Sequence, residues 1–428
     1  MTEILNVRNP KPFKIHCSNI QPQFLPWIEE AENRIFSLSA GNRIAPIAED
    51  IMKVGFAKIL FAANELGSDI DTCKPFVLFA PDGTCTYNKE RFSRGFAYGC
   101  LIKAEFDGLI ATQNAMPNGC GFSLFELKDF SDDENLAKDA LKISDGITEN
   151  QALELGRGNH FIAIYHVKDK LSGEDTGRRF VILHCSGHEL NKEPLYFQDW
   201  LEDVDGYNKI HTPHGSVWLL EKESKRLYLD KFSELEKNNE KGRSDVMKDL
   251  FDGMEFELIS DLTHQGLEDD GKLLKLGIQT DKDQLLPIAF NPDEGALTIK
   301  IKPNLNRDFL DRWKYAEMSN RFGYNKIFEN LDIIPHGAGY EFVKPIRNFS
   351  YALNKQGIEN FTVEMERSGG IAIKETASSF REIRQYMSYK RKLPIMQKLF
   401  EADLGDHIHD LIPLIQIHPK RSIPGGEY

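Results

Sequence analysis

No stretch of this chain is apolar for long enough to cross a bilayer, which takes about 20 consecutive apolar residues. Its opening residues, MTEILNVRNPKPFK, lack the apolar core of a secretory signal. The expectation is a cytoplasmic protein with no membrane partner. Cysteine is scarce: Cys17, Cys73, Cys85, Cys100, Cys120 and Cys185 are scattered and form no CxxC pair, so buried free thiols are expected. Basic excess is lacking too. With 53 Lys and Arg against 66 Asp and Glu, the formal charge of −13 argues against a protein that passively coats nucleic acid. It leaves room for an enzyme that takes a nucleic-acid end through one local basic patch. Solenoid repeats, low-complexity tracts and long Pro/Gly/Ser linkers are all absent.

What is present fits a large globular core: 41% hydrophobic and 28% charged residues over 428 positions. Without a linker, residues 1–428 are read as one intertwined domain, with 1–70 its less certain, helical N-terminal part. The clearest helix is 45–66, with Pro46 in its first turn and Gly67 just past its end. Strands are predicted at 76–80, 96–106, 108–113, 160–167, 179–185, 216–220, 285–290 and 296–302. Helices are predicted at 228–252, 307–320 and 379–400. These elements interleave without a strict βαβ period, so the expected fold is α+β (mixed α/β), with central β-sheets and flanking helices.

The histidines carry the chemical signal. His160 opens a strand after Gly156-Arg157-Gly158-Asn159, and His184 closes the strand that ends in Cys185. His264 follows the run ELISDL. His336 lies in Pro335-His336-Gly337-Ala338-Gly339, where small neighbours leave room for a bulky ligand to reach the imidazole. Histidines at strand ends beside glycine turns suit metal ligation, although a hydrogen-bonded structural histidine is the ordinary alternative for any one of them. His407 and His409 lie among acids and are expected to face solvent.

Taken together, these segments resemble the RtcB-type RNA ligases, the tRNA-splicing ligases that join an RNA 3′-phosphate or 2′,3′-cyclic phosphate to a 5′-hydroxyl. Gly158-Asn159-His160-Phe161 is similar to the family's GGNHF block, Val181-Ile182-Leu183-His184 to its histidine-ending strand, and Leu262-Thr263-His264 to a further histidine block. Pro335-His336-Gly337-Ala338-Gly339 resembles the PHGAG block that carries the guanylylated histidine. Shorter likenesses keep the same order: Ala80-Pro81-Asp82, Gly119-Cys120-Gly121-Phe122, Glu375-Thr376-Ala377 and Ile412-Pro413-Leu414.

The resemblance implies a centre of one or two Mn²⁺ ions (Zn²⁺ or Fe²⁺ also suit the donors) held by Glu126, His160, His184 and His264. Glu126 stands where the family's bridging cysteine is expected, and Ser123 where its aspartate is expected. It implies GTP as cofactor, with His336 as nucleophile and Asn159, Lys275, His336, Gly337, Tyr340 and His418 around the nucleotide. RNA ends would be the partner, DNA ends not being excluded, with another nucleotide or an activating protein as further partners. Departures at Ala163, Tyr340, Lys275 and His418, and the bulky Pro287-Ile288-Ala289-Phe290, point to a divergent branch. Two other readings stand beside ligation: a metal-dependent phosphoesterase acting on RNA ends, and a non-catalytic binder of those ends. Arg157, Lys275, Lys390-Arg391-Lys392 and Lys420-Arg421 are the expected substrate contacts, and a solvated helix face is the plainer reading of the run around Lys390.

Overall fold

The structure is a computed structural model describing residues 13–40, 43–130, 132–138, 160–186, 198–365, 371–376 (backbone alone) and 386–417. Asn159, Arg157, His418, Lys420 and Arg421 lie outside the described residues.

Antiparallel pairing organises the fold around one sheet of seven strands. Their order is Phe256–Thr263, Gly121–Leu127, Asp175–Cys185, Phe161–Asp169, Gly405–Ile417, Ala296–Ile301 and Leu286–Ala289. Alternation divides the side chains between two buried faces. Ile162, Ile164, Val181 and Leu183 pack with Met247 and Leu250 of the helix Lys222–Leu250, while Ala163, Tyr165, Phe180 and Ile182 pack with Phe122, Leu124 and Ala289. A second, five-stranded sheet runs Leu267–Glu268, Leu273–Leu276, Tyr98–Lys103, Phe76–Thr84 and Ile35–Ser37, and only its last pair is parallel. Helix Ile44–Glu65 is buried along most of its length. The fold is α+β, and no helix among the described residues is long and apolar enough to cross a membrane.

Three sequence expectations change. The segment 307–320 divides into helices Arg307–Arg312 and Ala316–Phe322, because Lys314 takes a left-handed φ of 60° that no helix accommodates. Of the expected helix 379–400, residues 379–385 lie outside the described residues, Met387–Tyr389 is a strand paired with Tyr340–Phe342, and Lys392–Glu401 is helical. Lys390 is therefore no solvated helix residue: it is 1% exposed, and its ammonium donates to the Gly83 carbonyl at 2.5 Å. His407 and His409 are half-buried, with His409 bonded to Thr298.

The helix Lys222–Leu250 is polar in sequence yet carries one buried stripe: Tyr228, Phe232, Leu235, Asn239, Arg243, Met247 and Leu250 recur at helical spacing. Asn239 donates to the Gly119 carbonyl at 2.9 Å. Arg243 donates from Nε to Ser123 Oγ at 2.8 Å and to Asp261 Oδ1 at 3.0 Å, tying the helix to two strands of the central sheet. Arg243→Ala would leave Asp261 without its cation and should cost about 3 kcal/mol. Arg226→Ala, on the exposed face with Glu223 and Asp230, should leave the unfolding midpoint essentially unchanged, since solvent screens these pairs. Urea unfolding of both variants measures the difference.

Candidate metal centre and reactive histidine

Register creates the site. Phe122 pairs with His184, His184 with Phe161, and Phe122 with Leu262, so one row crosses four strands of the central sheet. The residues just beyond this row are Cys120, His160 and His264, each at the end of a different strand. Backbone bonds hold the ends together: the Cys120 carbonyl accepts from the N–H of His264 at 2.9 Å and of Gln265 at 3.1 Å.

Cys120, His184 and His264 consequently form a buried group that could bind a metal ion, their donor atoms all lying within 4.8 Å of one another. Cys120 Sγ is 3.2 Å from His184 Nε2, and His184 Nε2 is 3.2 Å from His264 Nε2. His160 Nε2 approaches the same sulfur at 3.4 Å. On a tetrahedral ion two nitrogen donors stand about 3.3 Å apart, and a sulfur and a nitrogen about 3.6 Å, from ordinary zinc bond lengths. The observed separations match these to within a few tenths of an ångström. A thiolate with imidazoles suits Zn²⁺ and other borderline cations.

The electrostatics agree. Burial, with His336, His184, Arg243 and Lys275 adding to it, pushes His264 well below the usual histidine range, so the ring is neutral as ligation requires. Arg243 is fully buried against the strand start that follows Cys120: a Cβ on Gly121 would stand 3.0 Å from its Nη1. Burial works against the Arg243 cation, while Asp261 and then Cys185 and Cys120 favour it; by reciprocity it favours a thiolate at Cys120.

His336 stands beside this group, its ring centroid 4.7 Å from that of His264 and 5.1 Å from that of Tyr98. Its Nδ1 donates to Asp82 Oδ2 at 2.6 Å, and Gly337 N–H donates to the same oxygen at 3.3 Å. A carboxylate partner fixes the proton on Nδ1 and leaves the Nε2 lone pair available in the neutral ring. The glycines permit this approach. Gly339 has φ 64°, and a Cβ there would meet the Asp82 carbonyl at 2.1 Å.

A pocket of about 550 Å³, open mouth included, is lined by His184, His336, Gly337, Tyr98, Phe290 and Tyr340 among others. Tyr340 is stacked between two further tyrosines, with centroids 4.1 Å from Tyr87 and 5.2 Å from Tyr389. Stacked aromatic rings thus back one part of the pocket wall.

The structure brings together His160, His184, His264 and His336, with Gly337 and Tyr340 on the pocket wall. Glu126 is not among them, which corrects its reading as a ligand. Six residues of strand separate it from Cys120, about 20 Å of chain. Its carboxylate is bound by Arg178 Nε at 2.6 Å and Lys128 Nζ at 2.6 Å. Ser123 is bonded to Asp261 and Arg243 rather than aimed at the histidines. Lys275 is also corrected: its ammonium pairs with Glu268 at 2.7 Å, and it is not a pocket-lining residue. Asn159 and His418 lie outside the described residues. Sequence reasoning missed Cys120 and Asp82, though both stood inside quoted blocks. Cys120 directly precedes a strand, as His160 does, and that placement was the available signal.

Metal analysis separates the two ligand sets. Cys120→Ala and His184→Ala should lose bound metal, whereas Glu126→Gln should keep it; the opposite result would restore Glu126 as a ligand. Glu126 makes a separate prediction. The bonds from Arg178, then Lys128, outweigh burial and hold its carboxyl at about 2 instead of 4.5. A depressed folded pKa stabilises above the unfolded value and loses that contribution as pH falls from 4.5 toward 2. Circular dichroism should therefore show Glu126→Gln less stable than wild type at pH 6, with the gap closing through this window.

Comparison with models of known protein families finds no match, and neither does comparison with curated proteins.

Proposed function

We propose that the protein is a metal-dependent RNA ligase of the RtcB type. It would join 3′-phosphate or 2′,3′-cyclic phosphate ends to 5′-hydroxyl ends through a guanylate on His336. The observation that carries this reading is the Asp82–His336 bond beside the Cys120–His184–His264 group, on the wall of an open pocket. A neutral imidazole with its Nδ1 proton held is a nucleophile poised at Nε2. His336 Nε2 would attack the α-phosphorus of GTP, forming a phosphorus–nitrogen bond as pyrophosphate leaves. Asp82 would stabilise the charge that develops on the ring. A 2′,3′-cyclic end would first be opened by water to the 3′-phosphate; that phosphate would take GMP as the bond to His336 breaks, and the 5′-hydroxyl would then form the phosphodiester as GMP leaves. The bound metal (Mn²⁺, with Zn²⁺ and Fe²⁺ suiting the same donors) would supply Lewis-acid neutralisation of phosphate charge. Tyr340 and Phe290 offer apolar surface to a base.

One observation favours a second reading, a metal-dependent phosphoesterase acting on RNA ends. Among the described residues lining the pocket there is no lysine or arginine to hold a triphosphate.

Incubation with Mn²⁺ and α-labelled GTP, followed by denaturing electrophoresis, tests the proposal. Wild type should retain label and His336→Ala none. Asp82→Asn should label at least about 100-fold more slowly, because the amide no longer fixes the tautomer. Label on wild type and His336→Ala alike would remove His336 from the chemistry. Metal-dependent phosphate release from a 3′-phosphorylated RNA, without any label, would favour the phosphoesterase.

A further inference from the structure

A second cluster of cations lies on other elements, around helix Ile44–Glu65. Lys58 points from this helix into the protein and is 2% exposed. Among the described residues its ammonium makes no hydrogen bond or ion pair, and Arg94 is the only charged group acting on it. Burying an unpaired ammonium is costly, so a lysine held this way calls for a counter-charge.

The side chains beside it add further unpartnered donors. One helical turn before Lys58, Gly55 packs on the Arg94–Gly95 turn so closely that a Cβ would meet the Gly95 carbonyl at 2.3 Å. Arg94 lies over the Trp218 ring, 5.2 Å from its centroid, and both Arg94 Nη1 and Trp218 Nε1 are buried without a partner among the described residues. The nearest carboxylate, Glu90, reaches Arg94 Nη2 only at 3.5 Å and is itself 68% exposed. Two turns close the region. Gly357 packs on the Ser93 carbonyl, and Gly215 on that of Gln356. Beside them His214 and Lys355 line an open pocket of about 690 Å³. Both His214 nitrogens are already used, by Gln21 N–H and the Asn354 carbonyl, so the ring cannot neutralise Lys58.

We propose that Lys58, Arg94 and Trp218 form a binding site for one compact tetrahedral oxyanion, phosphate or sulfate, separate from the metal centre. Lys58 Nζ, Arg94 Nη1 and Trp218 Nε1 can each only donate, and a ligand that only accepts, through several oxygens at once, is what such a set recognises. Burial of the ammonium restricts the ligand to a small ion. Burial, and secondarily Arg94, lower the Lys58 ammonium to about 7, and an anion would restore its charge. The site does not depend on the ligase reading, since it shares no residue with that centre.

Thermal unfolding of the full chain tests this, with inorganic phosphate replacing chloride at constant ionic strength. Wild type should gain about 2 °C or more at saturating phosphate, and sulfate should act alike. Lys58→Met should unfold no lower than wild type in chloride, having lost an unpaired buried charge, and should not respond to phosphate. Arg94→Gln should blunt the response too, and it carries the test if Lys58→Met fails to fold. Cys120→Ala, which alters only the metal centre, should keep the full shift. An equal phosphate shift in wild type and Arg94→Gln, no shift in wild type, or loss of the shift in Cys120→Ala would each overturn the proposal.

Discussion

The site hangs on the register of four antiparallel strands. The row Leu262, Phe122, His184 and Phe161 fixes which residues stand one or two positions beyond it, and those are Cys120, His160 and His264. In a sheet the side-chain period is two, so a slip of one residue in any of these strands would turn its side chains to the opposite face. Apolar packing on both faces resists that slip. Ile162, Val181 and Leu183 fill one side, and Phe122, Phe180 and Ile182 the other. The metal-binding group is thus a by-product of hydrophobic pairing that is satisfied elsewhere along the same strands.

Buried charges are concentrated around the group. Asp82 is wholly buried, and its Oδ1 has no partner among the described residues, so its bond to His336 is the principal compensation for taking a carboxylate out of water. Arg243, equally buried, is neutralised by Asp261 and still presents an unused Nη1 near Cys120. His264 Nδ1 and Asn239 Oδ1 are likewise unpartnered. Unsatisfied polar atoms gathered at one place in an otherwise closely paired interior are what a site leaves when its ligands are considered apart from it.

A second concentration of unsatisfied groups, around Lys58, differs in sign. There Lys58, Arg94 and Trp218 can only donate, whereas at the histidine centre donors and acceptors are mixed. That difference underlies the two proposals: a metal-assisted phosphoryl transfer at the histidine centre, and an anion held at Lys58.

How much of this the sequence disclosed depended on the range of the interactions involved. Helix Ile44–Glu65 and the strands through His160 and His184 were legible, because periodicity and glycine punctuation are local signals. The four histidines stood out as a scarce residue type beside small neighbours, and their blocks suggested a family, whose activity stays a proposal. Glu126 was misjudged because counting along the chain treats nearby positions as equivalent, whereas six residues of extended strand carry a side chain out of reach. Lys275 and Lys390 looked like substrate contacts for a similar reason: a charged residue in sequence does not reveal that Glu268 or the Gly83 carbonyl already holds it. Alone, the sequence determined which segments form helices and strands and which residues are chemically able. Only tertiary structure decided that Cys120, and not Glu126, joins the histidines, and that Asp82 orients His336 across 254 positions of chain. Long-range register and buried charge pairing set these choices, and neither leaves a period in the sequence.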